Sequence, residues 1–216
     1  YINHLQIYNL EQYVLMDANT RRNLELTETI RNHRKQGSLY GVCDKTQTAL
    51  GSRLLKQWLE KPLLNNHMIQ LRLDGTEELL SQPLLHDQLK AALKEIYDLE
   101  RLIGRVVYGN ATPRDLVALK VSMQYLPEIE TILSGFSAAI FRQLYDQLDP
   151  LTDICSMITA AIKEDPPISS KDGGLIKDGF HPEVDELRYI TGEGKDWLIK
   201  LEAEEKEKTG IKSLKV

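Results

Sequence analysis

Apolar residues recur every three or four positions along most of this chain, which predicts a succession of amphipathic helices. Thr46 or Thr48 can cap the clearest of them, and Pro62 ends it because proline disfavours helical geometry at the preceding residue. Gly51 inside this helix costs about 1 kcal/mol relative to alanine, so we expect another backbone to pack closely there. The apolar face of this helix consists of Ala49, Leu50, Leu54, Leu55, Trp58 and Leu59.

The same pattern predicts an earlier helix from Thr20 to about Arg34. Asp17, Asn19 or Thr20 can cap it by accepting a hydrogen bond from its free N–H groups. After it, the short apolar run 39–43 fits either a helical turn or a strand. The inward-facing residues of the earlier helix are expected to be Leu24, Leu26 and Ile30.

Further helices are predicted in the middle of the chain. Asn65 or Asn66 can cap one that runs to about Leu80, and residues 84–107 are expected to form one broken helix or two consecutive ones. Asp98 can recap the second part of that stretch. The first of these helices is expected to face inward with Ile69, Leu73, Thr76 and Leu80, and the following stretch with Leu85, Leu89, Leu93, Ile96, Leu99, Ile103 and Val106.

The next helix start combines three local signals. Thr112 can cap the helix, Pro113 has the fixed φ favoured at its first position, and Asp115 can reach back as in a capping box. Pro127 is expected to kink or split this helix, and two further helices follow Gly135. Its inward face is expected to carry Leu116, Leu119, Met123, Leu126 and Ile129.

The last predicted helix, from about Pro182 to Lys208, differs from the others. Its apolar residues form a narrow, coiled-coil-like seam, and beyond Leu201 nearly every residue is charged, which is typical of a helix that projects into solvent. Turn residues from Asp172 to Phe180 predict a tight loop or small hairpin before it. The seam consists of Leu187, Ile190, Gly194, Trp197 and Leu201.

Together these elements predict an all-α fold: a multi-helix core bundle in residues 1–181 and a long projecting C-terminal helix in residues 182–216. Little or no β structure is expected. One or two short strands fit residues 1–18, and an extended segment is expected after the last helix.

Composition agrees with a soluble globular protein, since 42% of the residues are hydrophobic and 27% are charged. No apolar run approaches the roughly 20 residues that span a bilayer, and no signal peptide is visible, so no membrane segment is expected. The first residue is Tyr, and we therefore expect a piece of a longer protein.

The net charge of −5 divides into +4 for residues 1–72 and −9 for residues 73–216. Only Arg31, Arg34 and Lys35 form a basic cluster, which is too little to predict tight binding of duplex DNA.

Candidate chemistry is sparse. Cys43 and Cys155 are far apart in apolar surroundings, so we expect buried free thiols and a reducing, cytoplasmic location. Residues 192–196 superficially resemble a phosphate loop but lack its upstream glycine and its Ser/Thr. The five histidines are isolated, and no nucleophile–base pair can be named from spacing. We therefore expect no catalytic, cofactor-binding or metal-ligating residue in this chain.

Six segments, in the same order and covering nearly the whole chain, resemble the core or lever region of the MutS family of bacterial DNA mismatch-repair proteins. They are MDANTRRNLEL (16–26), TALGSRLLKQWLEKPL (48–63), RLDGTEEL (72–79), DLERL (98–102), ATPRDL (111–116) and DGGLIKDGFHPEVDELR (172–188). The second is long and specific, whereas the third alone would prove little.

The resemblance implies a structural lever that couples mismatched-DNA binding to the ATPase of the longer protein. ATP and Mg²⁺ would be bound outside this chain, and its partners would be the clamp, connector and ATPase domains of a dimeric parent. DNA would be reached through the parent, with weak or absent binding by the chain alone, which is expected to be a monomer. The residues singled out as candidates for structural coupling are Arg21, Arg22, Arg53, Trp58, Arg114 and Trp197.

Three alternatives stay open from the sequence. Arg21 and Arg22 are either a surface pair or a clamp between neighbouring elements. The seam in residues 187–201 could make the chain a helical interaction module for an unrelated partner. An enzyme hidden in unfamiliar residues is the third alternative.

Overall fold

The computed structural model describes residues 12–169 and 173–210, except for the side chains of Glu193, Lys195, Asp196 and Glu205. Within this part of the chain the backbone forms helices and two isolated antiparallel bridges, Tyr13 with Leu63 and Ile162 with Ile176, and no sheet. The expected all-α fold is therefore confirmed. The helices are α1 (Ala18–Asn23), α2 (Leu39–Cys43), α3 (Ala49–Glu60), α4 (Asn66–Ser81), α5 (Pro83–Lys94), α6 (Leu99–Val107), α7 (Pro113–Gln124), α8 (Leu126–Ser134), α9 (Ala139–Gln147), α10 (Thr152–Ala161) and α11 (Pro182–Thr209).

Residues 12–64, which contain α1 to α3, form what we call the N-terminal module. Its two ends are paired, since the N–H of Val14 donates to the carbonyl of Pro62 at 2.8 Å. Within it α2 packs on α3. The N–H group of Tyr40 donates to the carbonyl of Leu26 at 2.8 Å, which fixes α2 against the preceding turns.

The predicted helix from Thr20 to Arg34 is wrong, because α1 ends at Asn23. Glu25 and His33 have φ values of 46° and 47°, a left-handed geometry that no α-helix accommodates. The Glu25 carboxylate instead accepts the N–H of Ile30 at 2.7 Å. Side-chain bonds of this kind offer the backbone an alternative to the helix. Of the expected inward row Leu24, Leu26 and Ile30, only Leu26 is buried.

The start of α3 shows which threonine caps the helix and corrects the expectation of close backbone packing at Gly51. Thr48, and not Thr46, caps the helix, since its Oγ1 accepts the N–H of Gly51 at 2.9 Å. A methyl group at Gly51 would meet the side chains of Thr46 and Thr48, so the close approach of another backbone is not found. The run 39–43 is a helical turn, with Ser38 as its cap.

Residues 66–169, which contain α4 to α10, form what we call the helical bundle. Its extensively packed pairs are α4 with α5 and α9, α5 with α8, α6 with α7, α7 with α8 and α10, and α8 with α9. Two clusters of buried apolar side chains fill it. One consists of Ala92, Ile96, Ile129, Ile132, Leu133, Phe136 and Phe141, and the other of Leu102, Leu119 and Met123.

Carboxylates join helices inside the bundle. Glu78 of α4 accepts the N–H groups of Ser137 and Ala138, at 2.6 and 2.7 Å, and so ties the residues just before α9 to α4. Burial raises the pKa of Glu78, but these hydrogen bonds outweigh it and the pKa is lowered. The capping box is confirmed: Asp115 accepts the N–H of Thr112 at 2.7 Å and pairs with Arg105 of α6 at 3.2 Å.

The predicted inward face of α4 is wrong in part. Leu73, Thr76 and Leu80 are exposed, whereas Leu71 and Gly75 are buried. A helix with two apolar rows can bury either, and α4 buries the row whose glycine lets α9 approach closely. Ile103 and Val106 of α6 are likewise exposed, although the rest of their predicted stripe, from Leu85 to Leu99, is buried or half-buried.

The loop before α11 pairs with the end of the bundle and also turns on itself. Lys163 donates its N–H to the carbonyl of Leu175 at 3.0 Å, and Lys177 donates its N–H to that of Ala161 at 2.8 Å. Of the two predicted alternatives the described residues form the tight loop, since the N–H of Phe180 donates to the carbonyl of Lys177 at 3.4 Å. The long helix α11 is confirmed from Pro182 to Thr209, and Gly210, with φ 71°, ends it. None of the extensively packed helix pairs of the described residues includes α11.

Some expectations concern other parts of the chain. For the one or two short strands predicted within residues 1–18, the described residues 12–18 contain only the isolated bridge at Tyr13 and the start of α1, and residues 1–11 lie outside the described part. The extended segment after Gly210 and the position of Asp172 also lie outside it. The expected burial of both thiols is wrong for Cys43, which is exposed at the end of α2, whereas Cys155 is half-buried. No helix of the described part is both long and apolar enough to cross a membrane.

Candidate coupling site at the helix junctions

Arg53 joins the N-terminal module to the helical bundle. Its guanidinium on α3 donates to both carboxylate oxygens of Asp98, at 2.7 and 2.9 Å, and to Glu100 at 2.6 and 2.9 Å. Asp98 also caps α6 by accepting the N–H of Arg101 at 3.2 Å. The Arg53 bonds, opposed by burial, lower the pKa of Asp98 to about 2. A forked guanidinium against two carboxylates is a strong and directional form of surface ion pair.

Trp58 makes the second connection from α3 to the bundle. The guanidinium carbon of Arg72, on α4, lies 3.5 Å from the centre of the Trp58 ring, which is the geometry of a cation–π contact. Burial lowers the pKa of Arg72. Arg53 and Trp58 therefore reach two different helices of the bundle from one helix of the module.

Asp44 fixes α3 within its own module. Its carboxylate accepts bonds from Lys35, from the Ser52 hydroxyl at 2.5 Å and from the Thr46 hydroxyl at 2.6 Å. These bonds, led by that from Lys35, hold the pKa of Asp44 far below its usual range. The ammonium of Lys35 also lies 4.1 Å from the centre of the Tyr40 ring. The module is thus held together internally by the half-buried Asp44 carboxylate.

Arg114 and Lys120 tie α7 to the segment after α10. Nε of Arg114 donates to the carbonyl of Pro166 at 3.4 Å. The buried ammonium of Lys120 reaches the exposed Glu164 at 3.4 Å. Arg114 thus connects elements distant in sequence, as do Arg53 and Trp58.

Arg188 fastens the base of α11, and the sequence did not single it out. Its two Nη atoms donate to Asp178 at 2.6 Å and to the carbonyl of Ile176 at 2.8 Å. Asp185, one turn earlier on α11, accepts the N–H of Gly179 at 2.8 Å. Asp178 and Ile176 lie in the loop that pairs with the bundle, so Arg188, which also lies 3.5 Å from Asp185 of its own helix, connects α11 to that loop. The only available signal was its place at the end of the segment 172–188.

The remaining sequence candidates lie elsewhere. Nε and Nη2 of Arg21 donate to the carbonyl of Met16 at 3.1 and 3.0 Å, a bond within its own segment, and the Arg22 side chain is exposed. Trp197 is 62% exposed on α11. The structure therefore brings Arg53 and Trp58 together at one junction, places Arg114 at a second, and leaves the other three apart.

The described residues carry no group of three or more His, Cys, Asp or Glu side chains that could hold a metal ion. What these junctions can do is mechanical, since each is a polar connection between rigid helices. An apolar hollow of about 530 Å³ lies between the 173–176 loop and the first turns of α11, lined in part by Val184, Leu187 and Arg188.

Comparison with known proteins agrees with the resemblance found in the sequence. The sequence model of a family described as MutS domain III matches residues 19–215. Proteins named "DNA mismatch repair protein MutS" are 50% identical in Ruminiclostridium cellulolyticum, 49% in Alkaliphilus metalliredigens and 47% in Clostridium perfringens, each over 100% of this chain. The chain covers 25%, 24% and 24% of these relatives, and so spans about a quarter of their length.

The family match and the whole-chain identity support the same conclusion as the helical architecture. The match extends from α1 to beyond α11 and includes both the N-terminal module and the helical bundle. The predicted resemblance is confirmed, and the chain belongs to the MutS family, in which it corresponds to domain III.

Proposed function

We propose that this chain acts in DNA mismatch repair as the core and lever of a MutS protein, coupling the binding of mismatched DNA to the ATPase. The observation that carries the proposal is the match to MutS domain III over residues 19–215, combined with a close-packed bundle from which one 28-residue helix extends. Close-packed interiors transmit displacement instead of absorbing it, which suits this task.

In this proposal the chain performs no catalytic step. ATP and Mg²⁺ bind to the ATPase domain of the longer protein, in the cytoplasm, and DNA is held by its recognition and clamp domains. The clamp, connector and ATPase domains are its partners, and the dimer forms through the longer protein. The alternative of a module that recruits an unrelated partner through residues 187–201 is not favoured by whole-chain similarity to MutS.

The experiment is a chimera in which this chain replaces the matching quarter of the Ruminiclostridium cellulolyticum MutS, to which it is 50% identical. Arg188→Gln removes the guanidinium bonds from α11 to Asp178 and Ile176 of its supporting loop, and leaves the bond from Gly179 to Asp185 in place. Fluorescence anisotropy with a mismatched and a matched duplex measures recognition, and ATP hydrolysis with each duplex measures coupling.

We expect Arg188→Gln to keep the mismatch preference in binding and to lose most of the difference in ATP hydrolysis between the two duplexes. Lys200→Gln, a change of the same charge at an exposed position of α11, is the matched control and should leave both quantities unchanged. If Arg188→Gln abolished mismatch preference in binding but kept the coupling, the proposed lever role would be wrong.

A further inference from the structure

The buried apolar clusters that fill the helical bundle do not extend to α3. None of the residues of α3 is buried, and among the described helices it packs mainly against α2. The two buried apolar clusters of the described residues draw on residues 79–158 and include no residue of the N-terminal module. The module therefore meets the bundle without a shared apolar core.

Polar contacts cross this boundary instead. Arg53 reaches Asp98 and Glu100 at the start of α6, and Trp58 stacks under Arg72 of α4. The Arg53 side chain is 47% exposed and that of Glu100 is 69% exposed, so dissolved salt has access to the ion pair. Salt weakens exposed ion pairs, because the screening length falls from about 10 Å at 0.1 M to about 3 Å at 1 M.

The two attachments lie on different sides of α3. Arg53 and Trp58 are separated by five positions, which at about 100° per residue places them roughly 140° apart around the helix axis. While both attachments hold, the orientation of α3 relative to the bundle is fixed. When the ion pair opens, the Trp58–Arg72 contact and the chain connection between α3 and α4 remain, and α3 can turn about them.

We propose that the Arg53 contacts with Asp98 and Glu100 form a latch, and that opening it lets the N-terminal module rotate against the helical bundle about the Trp58–Arg72 contact. Arg53 is a positioning residue in this device. The use of the movement as regulation rests on the proposed lever function, whereas the movement itself does not.

The test measures the distance between the N-terminal module and the helical bundle directly. One spin label is placed on the exposed Cys43 of α2 and the other on a cysteine introduced at the exposed Lys90 of α5, with Cys155→Ala preventing a third label. Pulsed electron double resonance then gives the distribution of distances at about 0.05 M and about 0.5 M salt, a range over which screening changes strongly.

We call the labelled chain that retains Arg53 the parent. For the parent we expect one narrow distribution of label-to-label distances at low salt and a second population of distances at high salt. Arg53→Gln should raise the ratio of the second population to the first by about two- to fivefold at low salt, the range for one exposed ion pair, and should remove the salt response. Arg53→Lys keeps the positive charge but cannot bond to two carboxylates with the planar geometry of a guanidinium. Its ratio of the two populations should therefore lie between those of the parent and of Arg53→Gln.

The matched control is Lys56→Gln, which removes one positive charge from the same helix. Lys56 pairs with Glu60 of its own helix at 3.9 Å, so this variant should behave as the parent does. A single distribution shared by the parent and Arg53→Gln at both salt concentrations would overturn the latch. If circular dichroism shows that Arg53→Gln has unfolded, the test uses only the chain that retains Arg53 and the Arg53→Lys variant. The absence of any change in their distance distributions between the two salt concentrations would then overturn the latch.

The latch and the lever fail in different ways. The distance measurement uses neither DNA nor ATP, so a rigid junction would remove the latch and leave the proposed lever function standing. Loss of the lever role in the chimera would leave the distance measurement unaffected.

Discussion

At the scale of single residues, Gly75 marks a very close approach between α4 and α9. A Cβ atom built on it would lie 2.5 Å from Cγ2 of Ile140, closer than side-chain carbons can approach. The ring of Phe141 lies next to the same point, at 3.6 Å. Gly75 is therefore required by packing, although glycine within a helix is otherwise unfavourable.

Gly75→Ala should lower the free energy of unfolding by about 1–3 kcal/mol, the usual effect of overpacking a well-filled interior. Gly104→Ala in α6 is the matched control, because a Cβ there meets nothing within 4 Å, and it should be neutral or stabilise by up to about 1 kcal/mol. Urea denaturation of the two variants measures both effects. Equal effects of the two substitutions would contradict this account of Gly75.

The contrast between these two glycines shows what the sequence could not provide. Both lie inside predicted helices, and the spacing of neighbouring apolar residues does not distinguish them. The same holds for the junctions. Arg53 could be selected because it lies in a specific segment, but its partner Asp98 is 45 positions away, and no local rule joins the two. Long-range pairs depend on how helices pack, which periodicity does not determine.

At the scale of helices, the sequence was most informative where the structural signal is local. Side chains at five predicted helix starts accept hydrogen bonds from the backbone, as expected of caps. These residues are Asp17, Thr48, Asn65, Asp98 and Thr112. The helix predicted to Arg34 failed because local and more distant bonds act together. Besides the local bond from Ile30 to the Glu25 carboxylate, Leu39 and Tyr40 donate their N–H groups to the carbonyls of Glu25 and Leu26 from beyond the predicted helix.

Thr112→Ala removes one side of the capping box at the start of α7 and should lower the free energy of unfolding by about 1 kcal/mol. Thr131→Ala is the control, because Thr131 lies inside α8 and its hydroxyl donates to Pro127 of its own helix. That change should be neutral or slightly stabilising, since alanine has the higher helix propensity. Thermal unfolding followed by circular dichroism compares the two, and a larger loss from Thr131→Ala would contradict the assigned cap.

At the scale of the whole molecule, stability should depend on pH through two carboxylates: Asp44 inside the N-terminal module, and Asp98 at the contact of that module with the helical bundle. The pKa values of Asp44 and Asp98 are lowered in the folded chain, that of Asp98 to about 2 from an ordinary 3.8. A group with a lowered pKa stabilises the fold fully above its unfolded pKa, and this contribution is lost as pH falls towards the folded pKa. The contributions of both residues are therefore present at neutral pH and diminish below about pH 4.

The free energy of unfolding should accordingly fall as pH decreases from about 5 to about 2. Asp98→Asn keeps a good helix cap but removes the charge opposite Arg53, so this variant should be less stable at neutral pH and show a shallower decrease in acid. Urea denaturation at a series of pH values measures the slope. An unchanged slope in Asp98→Asn would mean that the ion pair does not contribute to stability.

The length of α11 also has a geometric consequence. With 28 residues at a rise of about 1.5 Å each, the helix is about 42 Å long. If Arg188 and its loop act as a pivot, about 32 Å of the helix lies beyond them, and a tilt of only about 5° moves the far end by roughly 3 Å. A rearrangement too small to disturb the packed bundle is thereby amplified into a displacement larger than a hydrogen bond can tolerate.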